Sequence, residues 1–202
     1  MKRIILASAS PRRKSLLEDL GITFSIRCAA IEEIDHGGTP ASIVESNARR
    51  KCAAVADDCV EDALVIGADT LVFLEEQVLS KPTSLEDARR MLCLLSGNTH
   101  QVVTGLAVYD TGSRRMVQGS ESTDVTFRPL TEEEIDCFVD AVRPMDRAGA
   151  YTVDGPGSLL VSRYDGCYQN VLGLPIVRLD KLLRQLGYSL FPFIDPAKAR
   201  FL

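Results

Sequence analysis

"ALVIGADTLVFL", residues 63–74, decides the fold. An almost unbroken apolar run of this length reads as a strand at the centre of a sheet, covered on both faces. "GADT" (67–70) interrupts it. A carboxylate in the middle of such a strand is paired, metal-bound or catalytic, or else it satisfies a turn. Asp69 is therefore the first candidate for chemistry.

Upstream, "RIILAS" (3–8) reads as a second buried strand. Ser10 suits an N-cap and Pro11 the first helical position. Leu16, Leu17 and Leu20 give that helix its apolar stripe, Gly21 closes it, and "TFSIRC" (23–28) alternates like a strand. From Pro40 a long helix carries Val44, Ala48, Cys52, Val55 and Cys59 on one face. Arg49 and Arg50 point away from that face. Lys51 falls three residues after Ala48 and four before Val55, on the core side, where a lysine needs a reason.

Downstream, Thr83 and Glu86 read as a capping box for a helix through Leu95, ended by Gly97. Two long strands follow, 100–110 and 115–129. Thr131 and Glu134 cap a helix bearing Ile135, Phe138, Val139 and Val142. A glycine-rich segment (146–175) leads to a last helix, Ile176 to Leu186. Interleaved strands and helices with long adjacent strands in the middle predict an α/β fold with a mixed sheet, and two lobes around a cleft. No repeat or linker divides the chain, so 1–202 reads as one domain.

The 202 residues carry a net charge of -5, which argues against a broad nucleic-acid surface; any basic site must be local. No apolar run is long enough for a membrane helix, and "IILASA" is too short for a signal peptide, so a cytoplasmic protein without membrane partners is expected. Six cysteines without a C-x-x-C pair are expected to be buried small hydrophobes. His36 and His100 have no partners at zinc-ligand spacing.

Against that acidic background "SASPRRK" (8–14) stands out. A helix N-terminus presents unpaired N–H groups and the positive end of the dipole. Ser8, Ser10, Arg12 and Arg13 add hydroxyls and fork-shaped cations, an arrangement suited to phosphate. Cations at that end oppose the dipole unless an anion offsets them. Lys14 follows the two arginines and is left with the solvent. Arg12, Arg13, Lys51 and Lys81 would hold a polyphosphate, while Glu32 and Asp69 would hold Mg²⁺ and orient or deprotonate a water. There is no P-loop and no kinase motif set.

The order "LASASPRRKSLL", "EE", "NARRKCAAVA", "VIGADT", "LSKP", "LSGNTHQVVTGLAV", "MDRAGAYTVDGPG" and "YQNVLGLP" resembles the Maf family of nucleoside triphosphate pyrophosphatases, over residues 4–187 and leaving 188–202 as a tail. The resemblance implies an elongated, inosine-triphosphate-pyrophosphatase-like α/β fold, a homodimer, and cleavage between the α and β phosphates with a divalent cation (Mg²⁺, Mn²⁺ or Co²⁺). It implies that Ser8, Ser10, Arg12, Arg13, Lys51 and Lys81 bind phosphate, that Glu32 and Asp69 bind metal, and that Asp69 accepts the proton. Arg12, Thr70 and Asp154 fall at positions that set substrate preference. Thr70, "AGAY" and "YQNVLGLP" resemble the dTTP/UTP group, whereas Asp154 stands where that group has glutamine. A carboxylate only accepts hydrogen bonds, which favours a base presenting N–H donors. The alternatives are a 7-methyl-GTP or other purine or modified-nucleotide pyrophosphatase of the same family, and a non-catalytic nucleotide-binding regulator of septum formation.

Overall fold

The computed structural model describes residues 2–200. In chain order its elements are β1 (Arg3–Leu6), α1 (Pro11–Asp19), β2 (Phe24–Ile26), α2 (Pro40–Asp57), β3 (Ala63–Leu74), β4 (Gln77–Leu79), α3 (Leu85–Leu95), β5 (Thr99–Asp110), β6 (Arg115–Phe127), α4 (Glu132–Val142), β7 (Val161–Asp165), α5 (Tyr168–Val171) and α6 (Ile176–Gln185). The strands form one mixed sheet in the order β2-β1-β3-β5-β6-β7, with β4 also on β3. β2, β1 and β3 run parallel, and the remaining pairings are antiparallel.

β3 is the spine. One edge pairs with β5 without interruption from Leu64 to Phe73. The other edge has two partners in succession: β1 covers Ala63 to Ile66 and β4 covers Val72 to Leu74. Between them, Gly67 to Leu71 have no strand alongside. The sequence causes the gap, because Pro11 fixes the start of α1 and β1 must leave the sheet to reach it. β4 then returns over the far end of β3 after a turn at Glu75 and Glu76. Asp69 and Thr70 lie in the gap.

Successive side chains of β3 face opposite ways, and the two faces are covered differently. On one face Leu64, Ile66 and Ala68 pack with Leu17 of α1 and Leu179, Leu182 and Leu183 of α6. Val72, further along the same face, belongs to another core with Leu92 of α3, Val139 of α4 and Phe127. Thr70 falls between these two cores. The opposite face lies under α2. A methyl on Gly67 would come 2.3 Å from the Ala48 carbonyl oxygen, and one on Gly105 would come 2.3 Å from the Val44 backbone. These two glycines, on adjacent strands, let the helix backbone rest directly on the sheet.

Two local expectations need correcting. α3 is capped by Ser84, whose hydroxyl accepts from the Asp87 N–H; Thr83 instead donates its own N–H and hydroxyl to the Asp87 carboxylate. The signal is thus displaced by one residue, because Asp87 serves as well as Glu86. The Thr131–Glu134 capping box of α4 is present in full. Among the cysteines only Cys52 is fully buried, while Cys28, Cys93 and Cys137 are exposed. No helix among the described residues is long and apolar enough to cross a membrane.

Candidate active site

The open stretch of β3 forms the floor of a cleft of about 620 Å³. Its lining comes from separate segments: the loop and first turn at Ser8–Arg13, the chain around Glu33–Asp35, Lys51 of α2, Ser80–Lys81 after β4, Asp146–Ala148, and Tyr151–Val153.

Asp69 is buried, at 3 % exposure, and both carboxylate oxygens have partners. Asn47 Nδ2 donates to Oδ2 at 2.9 Å and Lys51 Nζ donates to Oδ1 at 2.6 Å. Asn47 also donates to the Ile34 carbonyl at 2.7 Å, while its own oxygen accepts the Ile34 N–H at 3.0 Å. The amide therefore has one orientation, and it locks the 33–35 chain, α2 and Asp69 together. The signal for Asn47 was in the sequence: it precedes Lys51 by four residues and shares its face. The close seating of α2 on Gly67 and Gly105 is what lets so short a side chain reach β3.

Lys51 Nζ is also 2.6 Å from Glu33 Oε1. Burial pushes the Glu33 carboxyl up, but the Lys51 hydrogen bond, with the charges of Lys51, Lys81 and Arg13, outweighs this and holds it below the usual carboxylate range. Here the acidic pair resolves: both are exposed, but Glu33 lines the cleft and its neighbour Glu32 does not. No periodic element spans these residues, so spacing could not choose between them. Lys51 likewise changes place, standing between two carboxylates rather than free for phosphate.

The two adjacent arginines diverge. Arg13 is buried and uses one N–H of each nitrogen inside the protein: Nε to the Gly173 carbonyl (2.8 Å), Nη1 to Ser8 Oγ (3.0 Å) and Nη2 to Thr70 Oγ1 (2.9 Å). It braces α1, β3 and the 170–173 segment, and one N–H is left on each of Nη1 and Nη2. Thr104 Oγ1 donates to the Asn170 carbonyl at 3.0 Å, so at the 2.9 Å contact between the two threonine hydroxyls Thr70 is the donor. Thr70 has given its proton and received Arg13; what it has left to offer is a lone pair. Ser8, by contrast, accepts from Arg13 and from the Ser10 N–H and keeps its own proton to give.

Arg12 lines the same cleft with Nη1 buried and without a hydrogen-bond partner among the described residues. Burial first, then the charge of nearby Arg147, lower its pKa without discharging the guanidinium. Ser10 is the N-cap of α1, yet its hydroxyl caps no N–H of the helix. Lys81 lines the cleft and is exposed. Asp154 does not line it: its carboxylate stands at the rim, taken by the Thr152 hydroxyl and 3.9 Å from Arg147 Nη1. Its place outside the lining was not legible, because it follows a turn with left-handed backbone at Gly149 and Ala150.

An oriented carboxylate beside a lysine, in a cleft where other cations stand unpaired, marks a site that handles an anionic substrate. The chain belongs to the Maf family: the family's model, described as Maf-like protein, matches residues 3–186. Among individual relatives, the dTTP/UTP pyrophosphatase of Pelotomaculum thermopropionicum is 50% identical over 94% of this chain and 99% of its own. The dTTP/UTP pyrophosphatase of Dictyoglomus thermophilum is 43% identical over 94% of this chain and 98% of its own. One from Bacillus cereus is 47% identical over 92% and 96%. Among solved structures, a nucleoside-triphosphatase / dITP/XTP pyrophosphatase from Mycobacterium abscessus overlaps 63% of this chain and 75% of its own, with a TM-score of 0.42 and 16% identity.

Proposed function

We propose that this protein is a nucleoside triphosphate pyrophosphatase that hydrolyses dTTP and UTP to the monophosphate and pyrophosphate. The observation that carries this reading is the Asp69 carboxylate, buried at the open edge of β3, oriented by Asn47 and Lys51, and facing a cleft with unpaired cations. The relatives named above are dTTP/UTP pyrophosphatases across almost the whole chain.

Phosphoryl chemistry of this kind needs alignment, charge neutralisation and a base. Asp69 takes a proton from the attacking water as the new oxygen–phosphorus bond forms at the α phosphate and the bond to the β phosphate breaks. Lys51 holds the carboxylate on the water. Ser8 and Ser10 donate to phosphate oxygens beside the α1 N-terminus. The lone pair of Thr70 takes the ring N–H of uracil or thymine.

Glu33 and Asp69 are hard oxygen donors already held 2.6 Å from one ammonium, Lys51 Nζ. Among the described residues no three acidic, histidine or cysteine groups converge as a closed metal cage. That donor set suits Mg²⁺ or a similar ion that takes one or two protein carboxylates and completes its shell with substrate phosphates. When bound, such an ion neutralises charge building on the phosphate oxygens.

The test is Asp69→Asn. Pyrophosphate release from UTP and dTTP should fall at least ~100-fold, the scale of a lost general base, while titration with either nucleotide shows near-normal affinity. Unchanged turnover would refute the assignment, and 7-methyl-GTP outrunning both pyrimidines in the wild type would refute the substrate.

A further inference from the structure

We propose that Arg147, which neither the phosphate-binding motif nor the carboxylate cluster includes, is a substrate-binding residue that grips the triphosphate together with Arg12 and Lys81. The inference rests on the pyrophosphatase reading and adds a residue to it.

Two of the cleft's cations already have partners: Lys51 in Asp69 and Glu33, and Arg13 in Ser8, Thr70 and Gly173. Arg147 differs. The residue lines the cleft, and its Nε and Nη1 are buried with no hydrogen-bond partner among the described residues. Asp146 at 3.4 Å and Asp154 at 3.9 Å form loose ion pairs with it, without a hydrogen bond. Arg12 Nη1 is in the same condition, and the two guanidinium groups are near enough for Arg147 to disfavour the charge on Arg12. Asp146 and Asp154 offset part of the repulsion between them, but neither takes the unused donors, and planar forks suit the oxygens of phosphate.

The backbone points the same way. Arg147 precedes a turn in which Gly149 (φ 69°) and Ala150 (φ 59°) are both left-handed, a conformation that costs a non-glycine residue free energy. The Gly149 N–H donates to the Ser80 carbonyl at 3.2 Å, fastening this turn to the residue before Lys81. The His100 ring meets the Tyr151 hydroxyl at 2.7 Å, fastening its other end. A strained turn held at both ends brings Arg147 and Lys81 to one wall.

The probe is inorganic tripolyphosphate, which has the charge of the substrate and no base. Calorimetric titration should show its affinity reduced at least tenfold in Arg147→Ala and partly recovered in Arg147→Lys. The KM for UTP should rise by a similar factor, with kcat changed less. Arg147→Gln, which keeps the length of the side chain, covers the case in which alanine fails to fold. If instead the variants melt lower but bind tripolyphosphate as the wild type does, Arg147 is only a counter-ion of Asp146 and Asp154, and the proposal is overturned. The two readings fail separately. A wild type that cannot hydrolyse UTP but loses tripolyphosphate binding with Arg147 refutes the enzyme assignment and keeps the anion site.

Discussion

Arg12 and Arg13 are neighbours in a motif that reads as one phosphate grip, yet the fold gives them different work. Residue 13 falls on the buried face of α1 and residue 12 does not. Arg13→Lys should therefore behave as a brace removed. A lysine has no fork to reach Gly173, Ser8 and Thr70 at once, so stability should drop by about 2 kcal/mol or more, read by denaturant titration. Activity should fall with it, because Thr70 and Ser8 lose their common anchor. A variant as stable as the wild type would refute the bracing role. Residue identity was legible where a residue type was out of place. Asp69 in an apolar strand and Lys51 on a core face both announced themselves. Arg147 did not, since an arginine in a glycine-rich loop is ordinary, and only its buried nitrogens, without a hydrogen-bond partner among the described residues, mark it.

At the scale of elements, the decisive contact is α2 lying on β3 and β5. Gly67 and Gly105 leave no clearance, and the arrangement around Asp69 depends on it, because Asn47 and Lys51 must cross from helix to strand. Gly105 pairs with Asp69 in the β3–β5 register. Gly105→Ala should push α2 outward, costing roughly 1–3 kcal/mol from overpacking. It should also lower kcat more than 10-fold by lengthening the Asn47–Asp69 and Lys51–Asp69 bonds. Wild-type kcat in a destabilised variant would separate packing from positioning. Helix positions and the long strands were legible from periodicity and caps. The short pieces were not. β4, β7 and α5 hold three, five and four residues, too few for a period to show, and tertiary pairing makes them.

The stability of the whole molecule should carry the signature of one buried histidine. His100 packs edge-on against Phe127 and Tyr151 at 2 % exposure, and burial lowers its pKa from 6.5 to about 4. Above pH 6.5 the ring is neutral in folded and unfolded chains alike, so there is no cost. As pH falls from 6.5 towards 4, the unfolded chain takes up a proton that the folded one refuses, and stability is lost, by roughly 3 kcal/mol at the limit. Denaturant titrations at pH 7 and 4.5 should show the wild type losing roughly 2–3 kcal/mol more than His100→Gln. Equal losses would place the acid sensitivity elsewhere. The mixed sheet as a whole was legible in the alternation of strands and helices. The break along one edge of β3 was not, because it depends on which partners the strand takes and where each stops.

That break has a mechanical meaning. Both sides of the cleft hang from a single strand, held to β5 through ten consecutive residue pairs. To swing as two domains on a linker do, they would have to bend β3 against that ladder. The ladder consequently resists a change in the aperture. Nucleotides are then sorted less by closure of the cleft than by the side chains that meet them in it.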